Sequence, residues 1–420
     1  MHKVISILFF LTILVTAEVK TGTFQLSGFT EYSPIGHKEF AERMGWGTPN
    51  GDKFYKIEEQ TFEAFVPDDY DKSKPYGLVV WINSGDNGKM NRKYQEIFKK
   101  NRMIWIGANK SGNNVDTRIR AQLAIDGRHN MMKLYNIDPN RVYVSGSSGG
   151  GKVACLSAFS FPEVYSGGIF CIGVAHWINI PLKGNSFVPS KFQKKIPAER
   201  MKMIAEKGRY ACMTGDKDFN REHIKKTYDV LFSKTMNNCK YYQVPGLGHG
   251  AIPPDWYEKA ILQLDEPLAA MAKAYLTKGQ QLLKAKKYSE AFKQLQLAAA
   301  AEVDGAQTEL DKITAEIAKY TKQAEDLLKE DSFVKSYKLY KKIADTYGTC
   351  AENATAKMKA FKEDKDLYSE LVADDLLIKA VYYFGKKDKA NFNKYAGALM
   401  KKYPDTKAAA KAKERWAKKK

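Results

Sequence analysis

Residues 142–158 read VYVSGSSGGGKVACLSA, and the reading of this stretch decides the fold. An apolar run of strand length leads into a cluster of glycines, and a second apolar run, helical in character, leaves it. Strand, glycine turn and helix in direct succession mark the place where α/β proteins carry their chemistry, at the carboxyl end of a strand. Two chemistries fit the letters. Gly146-Ser147-Ser148-Gly149-Gly150 is a G-x-S-x-G pattern, in which a serine on a sharp turn needs flanking glycines because the backbone runs close to its neighbours. Gly146 to Lys152 is also G-x-x-x-x-G-K, the beginning of a phosphate-cradling loop. That loop should continue with a hydroxyl for magnesium, and Val153 has none. Ser148 is therefore read as a nucleophile, with Ser145 and Ser147 as turn residues.

The surroundings of this turn extend the pattern. From about residue 58 to 265, strand-like runs (TFEAFVP, GLVVWINSG, MIWIGAN, RVYVSG, GGIFCIGVAHW, RYACMTG, KYYQVPG) alternate with amphipathic helical stretches. Near-continuous apolar strands joined by amphipathic crossovers define an α/β fold whose mostly parallel sheet is covered by helices on both faces.

A serine hydroxyl becomes nucleophilic only when a base takes its proton and a carboxylate orients that base. The chain has six histidines. His2 lies at the amino terminus, His37 precedes the sheet and His129 falls in a helical run. Among the other three, His249 sits in the glycine-flanked loop VPGLGHGAIP just past the last strand, and is the expected base. His223, on the helix after the acid turn, is expected to face solvent. His176 closes the run GIFCIGVAH and is expected near the pocket. The turn TGDKDFN offers Asp216 and Asp218. Asp218 is preferred because two further residues let its carboxylate turn back over the strand ends, while Asp216 suits the cap of the next helix.

The order Ser148, Asp218, His249 is that of the α/β hydrolases. With DPNRVYVSGSSGGGKVA, TGDKDF and GLGHG in that order, the chain over roughly residues 58–265 resembles esterases of the polyhydroxybutyrate depolymerase and feruloyl esterase type. The resemblance implies acyl transfer to water through an acyl-serine, without a cofactor or a metal. It also implies an oxyanion hole, with one donor the amide of Gly149 at a helix N-terminus, where the dipole favours negative charge. The other donor would come from WINSGDNG, where Ser84-Gly85 replaces the family's His-Gly and Gly85 or Asp86 supplies the amide. A carboxylate at 86 opposes such chemistry unless its side chain turns away.

Length and composition set the frame. With 420 residues, 44% of them hydrophobic and 28% charged, the chain has the make-up of an ordinary globular protein with room for two domains. Residues 1–17 have the basic start, apolar core and V-T-A ending of a secretory signal, so a secreted or periplasmic location is expected. No later stretch is long and apolar enough to cross a membrane. The five cysteines show no C-x-x-C spacing and are read as buried core residues rather than a metal cluster.

The hydrolase domain is expected over 18–267. After Asp265-Glu266-Pro267, glycine and proline become scarce and the apolar spacing turns helical to the end. LLKAKKYSEAFKQLQLA resembles a tetratricopeptide unit without its Trp and Pro landmarks. IADTYGTCAENATAKMKAF echoes LMKKYPDTKAAAKAKERW, placing Tyr347 with Tyr403 and Ala354 with Ala410. A helical-repeat domain is expected over 268–420, a region in which a protein partner is conceivable and no catalytic cluster is visible. The net charge of +20 is spread over both domains, and in the second 32 Lys and Arg alternate with 21 Asp and Glu. That is the pattern of solvated helix faces rather than a nucleic-acid patch. The expected function is an exported serine esterase acting on a small-molecule or polymer-linked ester ahead of a peptide. The alternative is an inert hydrolase fold serving as a scaffold through its helical repeats. HWINIPLKGNSFVPSKFQKKIPAER, long and aromatic, is expected to form a lid or acyl pocket, or surface filler.

Overall fold

The computed structural model describes residues 19–47, 55–182 and 186–417. The expected signal segment lies outside them. The chain divides into two compact units, Met1–Pro267 and Leu268–Lys420.

The first unit is built on an eight-stranded sheet. Its strands are β1 Gly22–Ser27, β2 Thr61–Val66, β3 Tyr76–Ile82, β4 Met103–Ala108, β5 Ile137–Ser147, β6 Gly167–Cys171, β9 Arg209–Gly215 and β10 Asn238–Val244, while β7 Ile180–Pro181 and β8 Phe187–Val188 pair separately. The sheet order is β1-β2-β4-β3-β5-β6-β9-β10. β2 is antiparallel to β1 and β4, and every pairing from β4 to β10 is parallel. The first unit's helices are α1 His37–Met44, α2 Gln95–Lys100, α3 Thr117–Leu134, α4 Gly149–Ser160, α5 Ala198–Lys202, α6 Arg221–Thr227, α7 Ser233–Thr235 and the start of α8 Pro254–Lys284.

Alternation along the strands separates two cores, one on each face of the sheet. Leu78, Val80 and Ile82 of β3 pack in one with Ala154 and Phe159 of α4. Val79 packs in the other with Tyr257 and Ile261 of α8. This is the expected α/β-hydrolase architecture, a mostly parallel sheet with helices on both faces.

Four details differ from the sequence reading. β1 extends the sheet by an antiparallel edge strand whose alternating pattern was too short to stand out. β6 ends at Cys171 because Ile172 takes φ 48°, so His176 lies in the following loop rather than closing a strand. Ser145 and Ser147 belong to β5 rather than to a turn; buried Ser145 donates to Ile169 O at 2.7 Å and accepts from Tyr257 Oη at 2.9 Å. Finally, α8 continues through Pro267, which has no N–H to give to the helix and crowds the carbonyl one turn back.

The second unit is helical, with α9 Tyr288–Ala300, α10 Ala306–Lys329, α11 Phe333–Tyr347, α12 Glu352–Glu363, α13 Lys365–Gly385, α14 Lys389–Lys402 and α15 Lys407–Ala417 after the end of α8. One turn recurs in it. Lys286, Glu302, Asp331 and Lys387 are left-handed residues after a helix, and each is followed by a residue whose N–H reaches back five positions to a helix carbonyl. Those are the bonds of a Schellman cap. Tyr347 and Ala354 are buried as the echo required, but Ala410 is exposed and Ala409 and Ala412 make the contact. A shift of one residue turns a side chain by about 100° around a helix axis.

Candidate active site

Ser148 follows β5 directly and is the N-cap of α4. Its backbone sits at φ 54° and ψ −115°, a region that costs a non-glycine residue on the order of 1–3 kcal/mol. The packing around the turn holds it there. Ser148 N donates to Cys171 O at 2.9 Å, and Lys152 N returns to Ser148 O at 3.1 Å. A β-carbon on Gly150 would lie 1.9 Å from Ile82 O, so β3 can run beside the turn only if position 150 is glycine.

His249 and Asp218 come from loops after β10 and β9. Ser148 Oγ and His249 Nε2 are 2.9 Å apart, and His249 Nδ1 and Asp218 Oδ1 are 2.7 Å apart. Three residues separated by 70 and 31 positions thus form one hydrogen-bonded line. Asp218 is 5% exposed, and both oxygens of its carboxylate are engaged: Oδ1 also accepts from Asn220 N at 3.0 Å, and Oδ2 accepts from Thr214 Oγ1 at 2.6 Å. Those bonds fix which oxygen meets the imidazole. An acceptor at Nδ1 places the ring proton there and leaves Nε2 to take a proton from the serine. The Phe219 ring, 76% exposed, stacks on His249 with centroids 4.0 Å apart.

Asp216 makes no bond to His249 and caps no helix by a side-chain bond; its Oδ1 is buried without a hydrogen-bond partner among the described residues, and Arg221 donates to its carbonyl. The other two histidines form a separate pair. His176 Nδ1 meets Ile178 O at 2.7 Å, and its Nε2 lies 3.2 Å from His223 Nε2. His223 therefore turns inward instead of facing solvent. Burial drives both pKa values down, that of His223 to about 4, and the charge of Lys152 works in the same direction on each.

The loop after β3 carries Gly85 and Asp86, whose amides were expected to serve as oxyanion donors. Ser84 N is engaged by Asn83 Oδ1 at 2.9 Å, whereas the amides of Gly85, Asp86 and Gly149 donate to no acceptor among the described residues. The Asp86 carboxylate accepts from Gly112 N at 3.1 Å, and the Asp86 carbonyl accepts from Lys110 N at 2.7 Å. Asn113 N donates to Ser84 O at 2.9 Å and Gly88 N to Asn109 Oδ1 at 2.9 Å, fastening the 83–88 loop to the 109–113 loop. Under both lies Arg120, 4% exposed, which gives Nε to Ser111 O at 2.8 Å and Nη2 to Asn83 O at 2.6 Å. Burial lowers its pKa to about 10. No carboxylate lies within ion-pair distance of it among the described residues.

A pocket of about 530 Å³ opens beside Ser148 and His249. Trp81, Tyr94 and Trp105 form an aromatic wall, with the two indoles stacked at 4.8 Å. Ile172, Ile252 and Cys171 add apolar surface, and burial pushes the Cys171 thiol up to about 12, so it stays protonated at neutral pH. The described residues of the 176–200 segment contribute no lining residue. Its Trp177 packs against Phe159 and Phe232, and its Gln193 N bonds Met44 O at 2.8 Å, which places these two residues on a side wall of the fold. Sequence reading also missed Arg120, Asn113 and the aromatic wall. The one available signal was Trp81, an aromatic immediately before the oxyanion loop. Among the described residues no group of three or more potential metal ligands occurs, and no helix is long and apolar enough to cross a membrane.

Residues 122–266, which contain Ser148, Asp218 and His249, match the prolyl oligopeptidase family. No curated protein matches the sequence. Among solved structures, the chain is similar to Est1E from Butyrivibrio proteoclasticus at 14% identity, covering 50% of this chain and 95% of that one with a TM-score of 0.36. Fungal esterases from Rhizomucor miehei align at 15% identity over 52% of this chain and 81% of theirs, with a TM-score of 0.39. A hyperthermophilic esterase from Pyrobaculum calidifontis aligns at 10% identity over 50% and 80%, with a TM-score of 0.38. The family match and the fold support a serine hydrolase of the α/β-hydrolase class.

Proposed function

We propose that the protein is an exported serine esterase that hydrolyses carboxylic esters through an acyl-serine. The observation that carries this reading is the unbroken line from Asp218 through His249 to Ser148, with free amides at Gly85 and Gly149 nearby. As Ser148 Oγ attacks the ester carbonyl, its proton passes to His249 Nε2, and Asp218 stabilises the imidazolium. The carbonyl oxygen becomes an oxyanion held by the two amides. Collapse expels the alcohol, which takes the proton from His249. Water then attacks the acyl-serine, gives its proton to His249, and releases the acid as Oγ regains that proton. The aromatic wall of Trp81, Tyr94 and Trp105 suits an apolar acyl or alcohol group.

The family match raises a second substrate, since a peptide bond follows the same steps with an amine leaving. A fluorophosphonate probe tests the nucleophile: label on the parent and none on Ser148→Ala supports the reading, and an unlabelled parent overturns it. Parallel assays with p-nitrophenyl, acetyl and hydroxyalkanoate esters against peptide p-nitroanilides decide between ester and peptide. Turnover of anilides alone overturns the esterase.

A further inference from the structure

We propose that Asn113 is a further catalytic residue, its side-chain amide serving as a third donor to the oxyanion; this rests on the serine hydrolase reading above. Asn113 lines the pocket with Ser148 and His249. Its carboxamide lies against the Cα of Gly149: a β-carbon there would sit 2.0 Å from Asn113 Oδ1 and 2.9 Å from Nδ2. Glycine at 149 thus makes room for the amide of Asn113 as well as for the turn. The carboxamide forms no hydrogen bond with any described residue, although its backbone is pinned, with Asn113 N on Ser84 O at 2.9 Å. A polar group held in place from behind, with its own donors unspent and beside a free backbone amide, has the arrangement that charge stabilisation in a transition state requires. Its oxygen and nitrogen are close to interchangeable in shape, so rotation about the last bond turns Nδ2 toward the reacting carbonyl without moving the loop.

The loop is also charged from below. Arg120 holds Ser111 O, two residues before Asn113, and Asn83 O, two residues before Gly85. The side-chain donor and the loop amide are therefore referenced to the same buried guanidinium.

The test uses the purified full chain and the rate of fluorophosphonate labelling, which needs no knowledge of the natural substrate. In that step Ser148 Oγ bonds to phosphorus, fluoride leaves, the serine proton passes to His249, and the phosphoryl oxygen carries the charge that the hole receives. Asn113→Ala is expected to slow labelling and p-nitrophenyl acetate kcat by about 100-fold with KM changed less than about threefold, in line with loss of one oxyanion donor. Asn113→Asp gives a signature that a merely structural role does not. Its rate stays low while the carboxylate is charged and climbs, relative to the parent, as pH falls and the protonated acid regains a donor. Labelling of Asn113→Ala within threefold of the parent, or a loss carried by KM alone, removes Asn113 from the hole and leaves the triad intact. A parent that takes no label overturns the serine hydrolase and the donor together.

Discussion

The Asp86 carboxylate accepts the backbone N–H of Gly112 at 3.1 Å, and this bond reverses the meaning of an acid beside the proposed oxyanion hole. A carboxylate aimed at the reacting carbonyl would oppose charge build-up. Spent on Gly112, it ties the loop that carries the free amides of Gly85 and Asp86 to its neighbour. Asp86→Asn keeps an acceptor oxygen and is expected to label with fluorophosphonate within about threefold of the parent. Asp86→Ala removes a bond to a charged group, about 1.5–3 kcal/mol, and is expected to slow labelling by about tenfold while thermal unfolding moves down by several degrees. Faster labelling in both variants would mean that the carboxylate does face the hole.

Asp218 and Asp216 lie in the same turn, and only one meets the imidazole. Asp218→Asn removes the acceptor that fixes the His249 tautomer, and about a 10⁴-fold loss in kcat is the scale known for such a change. Asp216→Asn is expected to stay within about threefold. Steady-state kinetics on an aryl ester checks both, and equal losses would show that the line through Asp218 is not the working one.

The hydrogen-bonded line of Ser148, His249 and Asp218 was legible because each member follows a strand, and strands carry an apolar signature readable in a single sequence. The glycines around Ser148 and His249 mark turns for a local reason, so Ser148, Asp218 and His249 could be placed by position alone. Asn113 and Arg120 could not. Asn113 sits in an irregular loop, SGNNVD, and Arg120 looks like one more basic residue on a basic helix; their roles come from two loops meeting in space. The same limit hid the pairing of His176 with His223, because nothing in either segment announces the other. The long aromatic connection left its role open for the same reason: its aromatics signal burial, and Trp177 finds that burial against Phe159 and Phe232.

Arg120 bonds two backbone carbonyls and no carboxylate. Hydrogen bonds from charged groups contribute about 1.5–3 kcal/mol each, so Arg120→Met, which loses two of them, is expected to lower stability by about 3–6 kcal/mol in urea titration. It is also expected to lower kcat more than it raises KM, because the bonds it removes position the loops of the proposed hole and not the substrate. Arg120→Lys keeps the charge but loses the fork, and should recover part of the stability and little of the rate. Unchanged kcat in Arg120→Met would separate the clamp from catalysis.

The His176–His223 pair gives the fold an acid-sensitive point. Both imidazoles are neutral because burial lowers their pKa values, His223 from 6.5 to about 4. The unfolded chain therefore takes up protons between about pH 6.5 and 4 that the folded chain refuses, and stability falls as pH drops through that window and levels off below it. His223→Gln retains a donor for His176 Nε2 and removes one titrating group. Urea titrations at pH 7, 5.5 and 4.5 should show a shallower loss in the variant; an identical slope in both proteins would place the acid sensitivity elsewhere.

Away from the site, Asp265 closes a polar cluster at the opposite ends of the strands. Arg141 Nη2 meets its Oδ2 at 2.7 Å and Tyr143 Oη donates to its Oδ1 at 2.5 Å, while Arg209 Nη1 bonds Leu264 O at 2.8 Å. Arg141 keeps its charge despite burial because this carboxylate offsets the loss of water. Removing one member of a buried pair strands the other, at about 3–5 kcal/mol, whereas replacing both with apolar groups of similar volume can cost little. Asp265→Ala is expected to destabilise the protein by that amount, and Arg141→Met with Asp265→Leu to recover most of it. Because the cluster sits at the amino ends of strands whose carboxyl ends carry Ser148 and Asp218, the fraction of Asp265→Ala that remains folded should label with fluorophosphonate at the parent rate. A slower rate per folded molecule would mean that the sheet transmits strain from one end to the other.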